Sequence, residues 1–151
     1  MLTGDKVETA TSISISSGLK SRKNNLFFMR ELTSLDDINN KIENLARHVT
    51  NCTLIIDGKT LGVIWTDEDT KMAFFHQAMR APCVCICRCS PTQKADVTKL
   101  MREITDGKRV AGIGDGGNDV GMILEADCGI GLEGKEGMQA SLAADYSLRE
   151  F

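Results

Sequence analysis

The run Gly112-Ile-Gly-Asp-Gly-Gly-Asn-Asp119 constrains this chain more than any other, because it sets two carboxylates and an amide on a glycine hinge. It follows Lys108-Arg-Val-Ala-Gly-Ile113, a short apolar run that reads as a buried strand. It precedes Val120-Gly-Met-Ile-Leu-Glu-Ala126, which reads as a short helix. Strand, Gly-rich turn and helix make a place to hold a phosphate and a divalent cation. Asp115 and Asp119 supply hard oxygens, as ligands or as acceptors behind the ligands, suited to Mg²⁺. Gly114, Gly116 and Gly117 let the backbone approach a ligand closely. A solvated acidic turn would use the same letters, so the loop alone does not decide.

Two further segments complete a phosphoryl-transfer constellation. Thr3-Gly4-Asp5 leads into Lys6-Val-Glu-Thr-Ala10, a helix start with acid in its first turn. A Thr hydroxyl and a Gly amide there suit phosphoryl oxygens. Ser90-Pro-Thr-Gln-Lys94 opens another helix, with Ser90 as N-cap and Pro91 at the first helical position. Lys94 then projects from the first turn, where an ammonium neutralises charge on a transferring phosphoryl group. Taken singly, Thr3 is a capping residue and Lys94 a surface lysine. The order of the three, each with apolar residues before it, carries the reading.

The rest of the chain alternates strands and helices. Lys6 to Gly18 reads as a helix ended by Gly18, and Leu26–Met29 as a strand. Ser34-Leu-Asp-Asp37 has capping-box form and opens an amphipathic helix to about Val49, with Leu35, Ile38, Ile42, Leu45 and Ala46 on one face. Cys52–Ile56 reads as a strand, and Asp57-Gly58 as a tight turn into Thr60–Ile64, a hairpin. Thr66 to Arg80 reads as a helix with Met72, Phe75 and Met79 on its apolar side, and Trp65 falls at a strand end. A Cys-rich strand, the Lys94 helix to about Ile104, a strand at 109–113 and three short elements follow. This order implies βαβ units and a parallel sheet in one α/β domain spanning residues 1–151.

Thr-Gly-Asp, then Pro-x-Gln-Lys, then Gly-Asp-Gly-x-Asn-Asp resembles the phosphorylation domain of P-type ATPases, within the haloacid dehalogenase superfamily. Met1–Ala10, Gly134-Lys-Glu-Gly-Met-Gln-Ala140 and Asp145-Tyr146 resemble type IV, the phospholipid flippases. Asp127-Cys-Gly-Ile-Gly-Leu-Glu-Gly134 and Ala140-Ser-Leu-Ala-Ala-Asp145 look most like the Neo-one/class-two branch. The resemblance is close at 1–20 and 82–151 and looser between. It implies a Rossmann-like, haloacid dehalogenase-type parallel sheet with flanking helices, and use of ATP and Mg²⁺. By it Asp115 ligates Mg²⁺, Asp119 organises the metal shell and holds Lys94, and Asn118 bonds a phosphoryl oxygen or the aspartyl group. Thr3 and Gly4 bind phosphoryl oxygens, Lys94 stabilises their charge, and Asp5 lies near the nucleotide. Gly117 is smaller than the residue most members carry there.

Such ATPases phosphorylate the Asp of an Asp-Lys-Thr-Gly motif, and no such motif occurs in these 151 residues. Asp57-Gly-Lys-Thr60 has similar letters in another order. A Thr-Gly-Asp turn belongs at the carboxyl end of a parallel strand, and only Met1 and Leu2 precede it. The expectation is a fragment, the C-terminal portion of a phosphorylation domain, lacking the strand with the nucleophile. Alone it should be inactive and liable to self-associate through an unpaired sheet edge. The implied parent carries its phospholipid substrate in an absent membrane domain and presents this domain, with its other domains, on the cytosolic face. Organelle, lipid headgroup and transport direction are not legible. A cation-transporting P-type ATPase, or a truncated non-enzymatic relative, are the alternatives.

Composition removes other classes. A hydrophobic content of 42% supports a core, and a net charge of −3 argues against nucleic acid. No apolar run approaches the ~20 residues of a membrane helix. Cys83, Cys85, Cys87 and Cys89 alternate, so they share one strand face and cannot wrap a tetrahedral ion; they read as core. Gly129-Ile-Gly-Leu-Glu-Gly134 matches the dinucleotide fingerprint but has no following strand with an acid, and its glycines read as a turn toward a helix near Lys135. His48 and His76 read as surface or boundary residues.

Overall fold

The computed structural model describes residues 1–133 and 138–149 and divides into two compact units, Met1–Cys89 and Ser90–Phe151. In the first unit the order is α1 (Val7–Ser16), β1 (Asn25–Met29), α2 (Leu35–His48), β2 (Cys52–Asp57), α3 (Gly58–Ile64), α4 (Glu68–Ala78) and β3 (Cys83–Cys87). The three strands form a parallel sheet ordered β1-β2-β3, with Phe27 opposite Leu54 and Leu54 opposite Val84. A parallel central strand must be covered on both faces. All six residues of β2 are accordingly buried, Leu54, Ile55 and Ile56 completely. Ile38, Leu45, Leu61, Ile64 and Phe74 are buried completely as well, and α2 covers the core with the face its periodicity predicted.

At the other edge of this sheet, Leu2 bridges Ile86 in parallel. Ile86 N–H donates to the Met1 carbonyl at 2.8 Å and Thr3 N–H to the Ile86 carbonyl at 2.9 Å. The Thr3-Gly4-Asp5 turn therefore leaves the carboxyl end of a short parallel stub, and α1 follows it, stopping before Gly18 at φ 77°.

Several local expectations are corrected here. Residues 58–64 form α3 and not the second strand of a hairpin. Asp57 Oδ1 accepts from Thr60 N–H at 2.7 Å, so the Asp-Gly pair is an N-cap and not a turn. Trp65 accordingly caps the end of a helix, and packs edge-on to Phe75 with ring centroids 5.4 Å apart. Asp67 caps α4 through Thr70 N–H at 2.9 Å, and that start sets the helix phase. Phe74 and Phe75 turn inward, while Met72 and Met79, read as part of the apolar side, are each 40% exposed. Ser34 makes no side-chain cap bond despite its capping-box form. The cysteine alternation ends at Arg88, whose φ of 50° breaks the strand before Cys89. Cys85, Cys87 and Cys89 are buried, Cys83 is half-buried, and no disulfide joins the described cysteines. His48 and His76 are exposed, as expected.

In the second unit the order is α5 (Pro91–Ile104), β4 (Ala111–Gly114), a 3-10 turn (Gly117–Asp119), α6 (Val120–Glu125), β5 (Cys128–Leu132), α7 (Gln139–Ala143) and β6 (Tyr146–Leu148). Its sheet is parallel too, ordered β4-β5-β6, with Ile113 opposite Ile130 and Ile130 opposite Tyr146. A Cβ on Gly131 would lie 2.5 Å from the Ala140 carbonyl oxygen, so α7 packs directly on strand backbone. Asp145 ties this layer, its N–H donating to the Gly129 carbonyl at 3.0 Å and its Oδ2 accepting from Gly129 N–H at 2.7 Å. The expected turn toward a helix near Lys135 lies outside the described residues.

Candidate functional site

The Gly-rich loop stands where ligands bind in α/β sheets, just past the carboxyl end of β4. The chain leaves β4 at Gly114, turns through Asp115-Gly116, closes a 3-10 turn at Gly117–Asp119 and enters α6. Asp119 N–H donates to the Gly116 carbonyl at 3.0 Å, which bends the loop back on itself. The Asp119 side chain then folds over the strand end. A Cβ on Gly114 would sit 2.3 Å from Asp119 Cβ and 2.7 Å from Cγ, so this position requires glycine because of its neighbour.

Lys94 reaches the same point from α5. Ser90 Oγ accepts from Gln93 N–H at 3.1 Å while Gln93 Oε1 accepts from Ser90 N–H at 3.0 Å, a complete capping box that fixes the first turn. From that turn Lys94 Nζ donates to Asp119 Oδ1 at 2.7 Å. The two side chains are only 9% and 13% exposed, so this is a nearly buried ion pair with little screening. Asp119 Oδ2 accepts from Asp115 N–H at 3.3 Å, so one carboxylate holds the lysine and the loop backbone together.

The remaining loop groups face outward. Asp115 and Asn118 are exposed, and the Asp115 carboxylate has no bonding partner among the described residues. Both Asp119 oxygens are engaged, which leaves Asp115 as the open oxygen donor. No group of three or more His, Cys, Asp or Glu is gathered for a metal among the described residues. The loop thus offers a hard cation one open carboxylate and not a closed cage. Gln139 also borders the loop, with Oε1 3.6 Å from where a Cβ on Gly117 would lie.

Thr3, Gly4 and Asp5 come together in the first unit. Thr3 Oγ1 donates to Asp5 Oδ2 at 3.1 Å and accepts from Asp5 N–H at 3.2 Å. The turn is fastened to the end of β3, with Cys89 N–H donating to the Thr3 carbonyl at 3.0 Å and Arg88 N–H to the Asp5 carbonyl at 2.9 Å. Gly4 is exposed, and nothing lies within 4 Å of where its Cβ would be.

Asp57, from the look-alike Asp57-Gly-Lys-Thr60, is structural. It is buried, accepting from Glu31 N–H at 2.8 Å as well as capping α3, and Thr60 Oγ1 accepts from Leu32 N–H at 3.0 Å. Two structural features escaped the motif reading: the steric demand at Gly114, and the reciprocal Asp145–Gly129 pair between the end of α7 and β5. The Ser90-x-x-Gln93 spacing carried the signal for the box that holds Lys94.

The buried Lys94–Asp119 pair and the exposed Asp115 thus stand on a Gly-rich loop of a parallel α/β frame. No family model matches the chain. Its similarity to individual proteins is nevertheless extensive, covering the whole of its length in each case below. It is 49% identical to the human "Probable phospholipid-transporting ATPase IIB" and 48% identical to the Saccharomyces cerevisiae "Phospholipid-transporting ATPase NEO1". It is 46% identical to the Caenorhabditis elegans "Probable phospholipid-transporting ATPase tat-5". The chain is homologous to one segment of the type IV phospholipid-transporting ATPases. It spans 13% of the length of the human and yeast relatives. Among the described residues no helix is long and apolar enough to cross a membrane.

Proposed function

We propose that this chain is the C-terminal portion of the phosphorylation domain of a phospholipid-translocating P-type ATPase, both compact units belonging to that one domain. The buried Lys94–Asp119 pair beneath the open Asp115 carboxylate is the observation that carries the reading. Lys94 is held rigidly enough to neutralise phosphoryl charge without reorganising, and its alignment costs nothing at the moment of transfer. Asp119 keeps the lysine in place and pins the loop through Asp115 N–H. Asp115 would hold Mg²⁺, which when bound supplies charge neutralisation on the phosphoryl oxygens. Asn118, exposed beside it, donates to a phosphoryl oxygen or to the aspartyl group. Thr3 and the exposed Gly4 would bind phosphoryl oxygens, and Asp5 would lie near the nucleotide.

In the whole protein these groups serve ATP hydrolysis through an aspartyl-phosphate coupled to lipid movement, on the cytosolic face of a membrane. The phosphorylated Asp belongs to sequence not contained in these residues, where no Asp-Lys-Thr-Gly occurs. The chain by itself therefore neither hydrolyses ATP nor becomes phosphorylated, and its unpaired sheet edges favour association. Two measurements test this. Incubation with labelled ATP or acetyl phosphate and Mg²⁺ should give no acid-stable label, and a label on Asp115 would overturn the assignment. Amide NMR during Mg²⁺ titration should show weak shifts confined to residues 113–119 and absent in Asp115→Asn. Shifts that persist in that variant would move the metal elsewhere.

A further inference from the structure

Charge is distributed unevenly along this chain. Between Thr9 and Arg30 there are four cations, Lys20, Arg22, Lys23 and Arg30, and no carboxylate, although the chain as a whole carries −3. These cations bracket β1, three before it and one after it. None of the four joins an ion pair among the described residues. Lys20 Nζ only donates to the Ser21 carbonyl at 3.2 Å, and the Arg30 guanidinium stands 5.7 Å from the Phe28 ring centroid. The nearest following acid, Glu31, sits in a chain reversal at φ 56° with its N–H given to Asp57.

Among the described residues β1 is the outer strand of its sheet and pairs only with β2. Its other edge presents unpaired backbone groups, a template for one more strand. Phe28 is 37% exposed on it, and Leu26 and Phe27 are half-buried. We propose that the outer edge of β1 takes up an extended acidic peptide segment of a partner as an added strand, its carboxylates meeting Lys20, Arg22 and Lys23 at one end and Arg30 at the other. Main-chain bonds give such an interaction its affinity, and the flanking charges its selectivity. An anionic membrane surface fits less well. It leaves the strand's backbone groups without partners, and the exposed Ile13 and Ile15 of α1, two residues apart, lie on different sides of the helix.

The test uses the whole chain and fluorescein-labelled eight-residue peptides, read by anisotropy. A peptide alternating Glu and Val should bind saturably and weaken with salt. An alternating Lys and Val peptide should not bind. K20E/R22E/K23E should weaken the Glu peptide by about tenfold or more, since three charge pairs, two of them at exposed residues, are reversed. These positions lie in or beside an exposed loop, and circular dichroism checks that the fold is kept. The same Glu peptide methylated on alternate amide nitrogens cannot form a ladder, and its binding should be lost. Equal affinity for the methylated peptide would overturn the proposal by reducing the contact to charge alone. Absence of saturable binding would overturn it too, leaving the cations as guards against edge-to-edge aggregation. Sedimentation with phosphatidylserine vesicles in place of peptide binding would assign the edge to a membrane.

Discussion

Replacing Lys94 by Met removes one charge while keeping most of the side-chain volume, and isolates the contribution of the pair. At 2.7 Å and an effective dielectric near 20, the Coulomb attraction is about 6 kcal/mol, most of it offset by the desolvation of both groups. The variant does not recover that desolvation. It leaves the Asp119 carboxylate 13% exposed, with only the long 3.3 Å bond from Asp115 N–H. Removing one partner of a nearly buried pair costs about 3 kcal/mol, which for a chain this size lowers Tm by roughly 6–12 °C. Urea titration and thermal unfolding measure it. Lys71 provides the control, because its bond to Glu68 is shorter, 2.6 Å, but Glu68 is 73% exposed. Lys71→Met should cost no more than about 0.5 kcal/mol. The double variant Lys94→Met/Asp119→Leu should recover much of the loss, because no charge is then stranded. A Lys94→Met variant within about 0.5 kcal/mol of the parent, or a double variant worse than the sum of the singles, would refute the reasoning.

Gly114→Ala forces a Cβ to 2.3 Å from Asp119 Cβ, so Asp119 must leave its site; the expected loss is about 2–4 kcal/mol, with the Lys94 pair broken in the NMR spectrum. The Val110 N–H first, and then Arg102, hold the Asp127 carboxyl below the usual range. A lowered folded-state value means that stability is present above about pH 4 and lost as pH falls through the folded value; Asp127→Asn should remove that acid-side slope, measured by urea titration from pH 2 to 6. Burial pushes the Cys85 thiol up to about 11. Its contribution is therefore complete below about pH 8.5 and lost as pH rises toward 11, and half-buried Cys83 and Cys128 should react with a disulfide reagent well before Cys85.

The parts of the fold legible in sequence were those in which a local signal agreed with the tertiary one. Ser90-Pro91 with Gln93 fixed the start of α5, and the apolar stripe Ile38, Ile42, Leu45 fixed the buried face of α2. Residues 58–64 were illegible for a physical reason. Seven residues give too few turns for a helical period, and Leu61, Val63 and Ile64 read equally well as strand until Asp57 is seen capping Thr60 N–H. α4 failed by phase, because two adjacent phenylalanines both go inward once Asp67 sets the first turn. In the site, the Lys94–Asp119 contact was what the family resemblance implied, and the structure forms it. The constraint that Gly114 answers was not legible, because it is a contact with a side chain five residues on.

A chimaera tests the central claim most directly: this chain in place of the matching segment of the yeast relative, with phosphoenzyme formation measured from labelled ATP and Mg²⁺. The account predicts an acid-stable, hydroxylamine-labile label in the chimaera, lost in Asp115→Asn and reduced at least tenfold in Lys94→Met. A folded chimaera whose Asp115→Asn variant labels as well as its parent would contradict it.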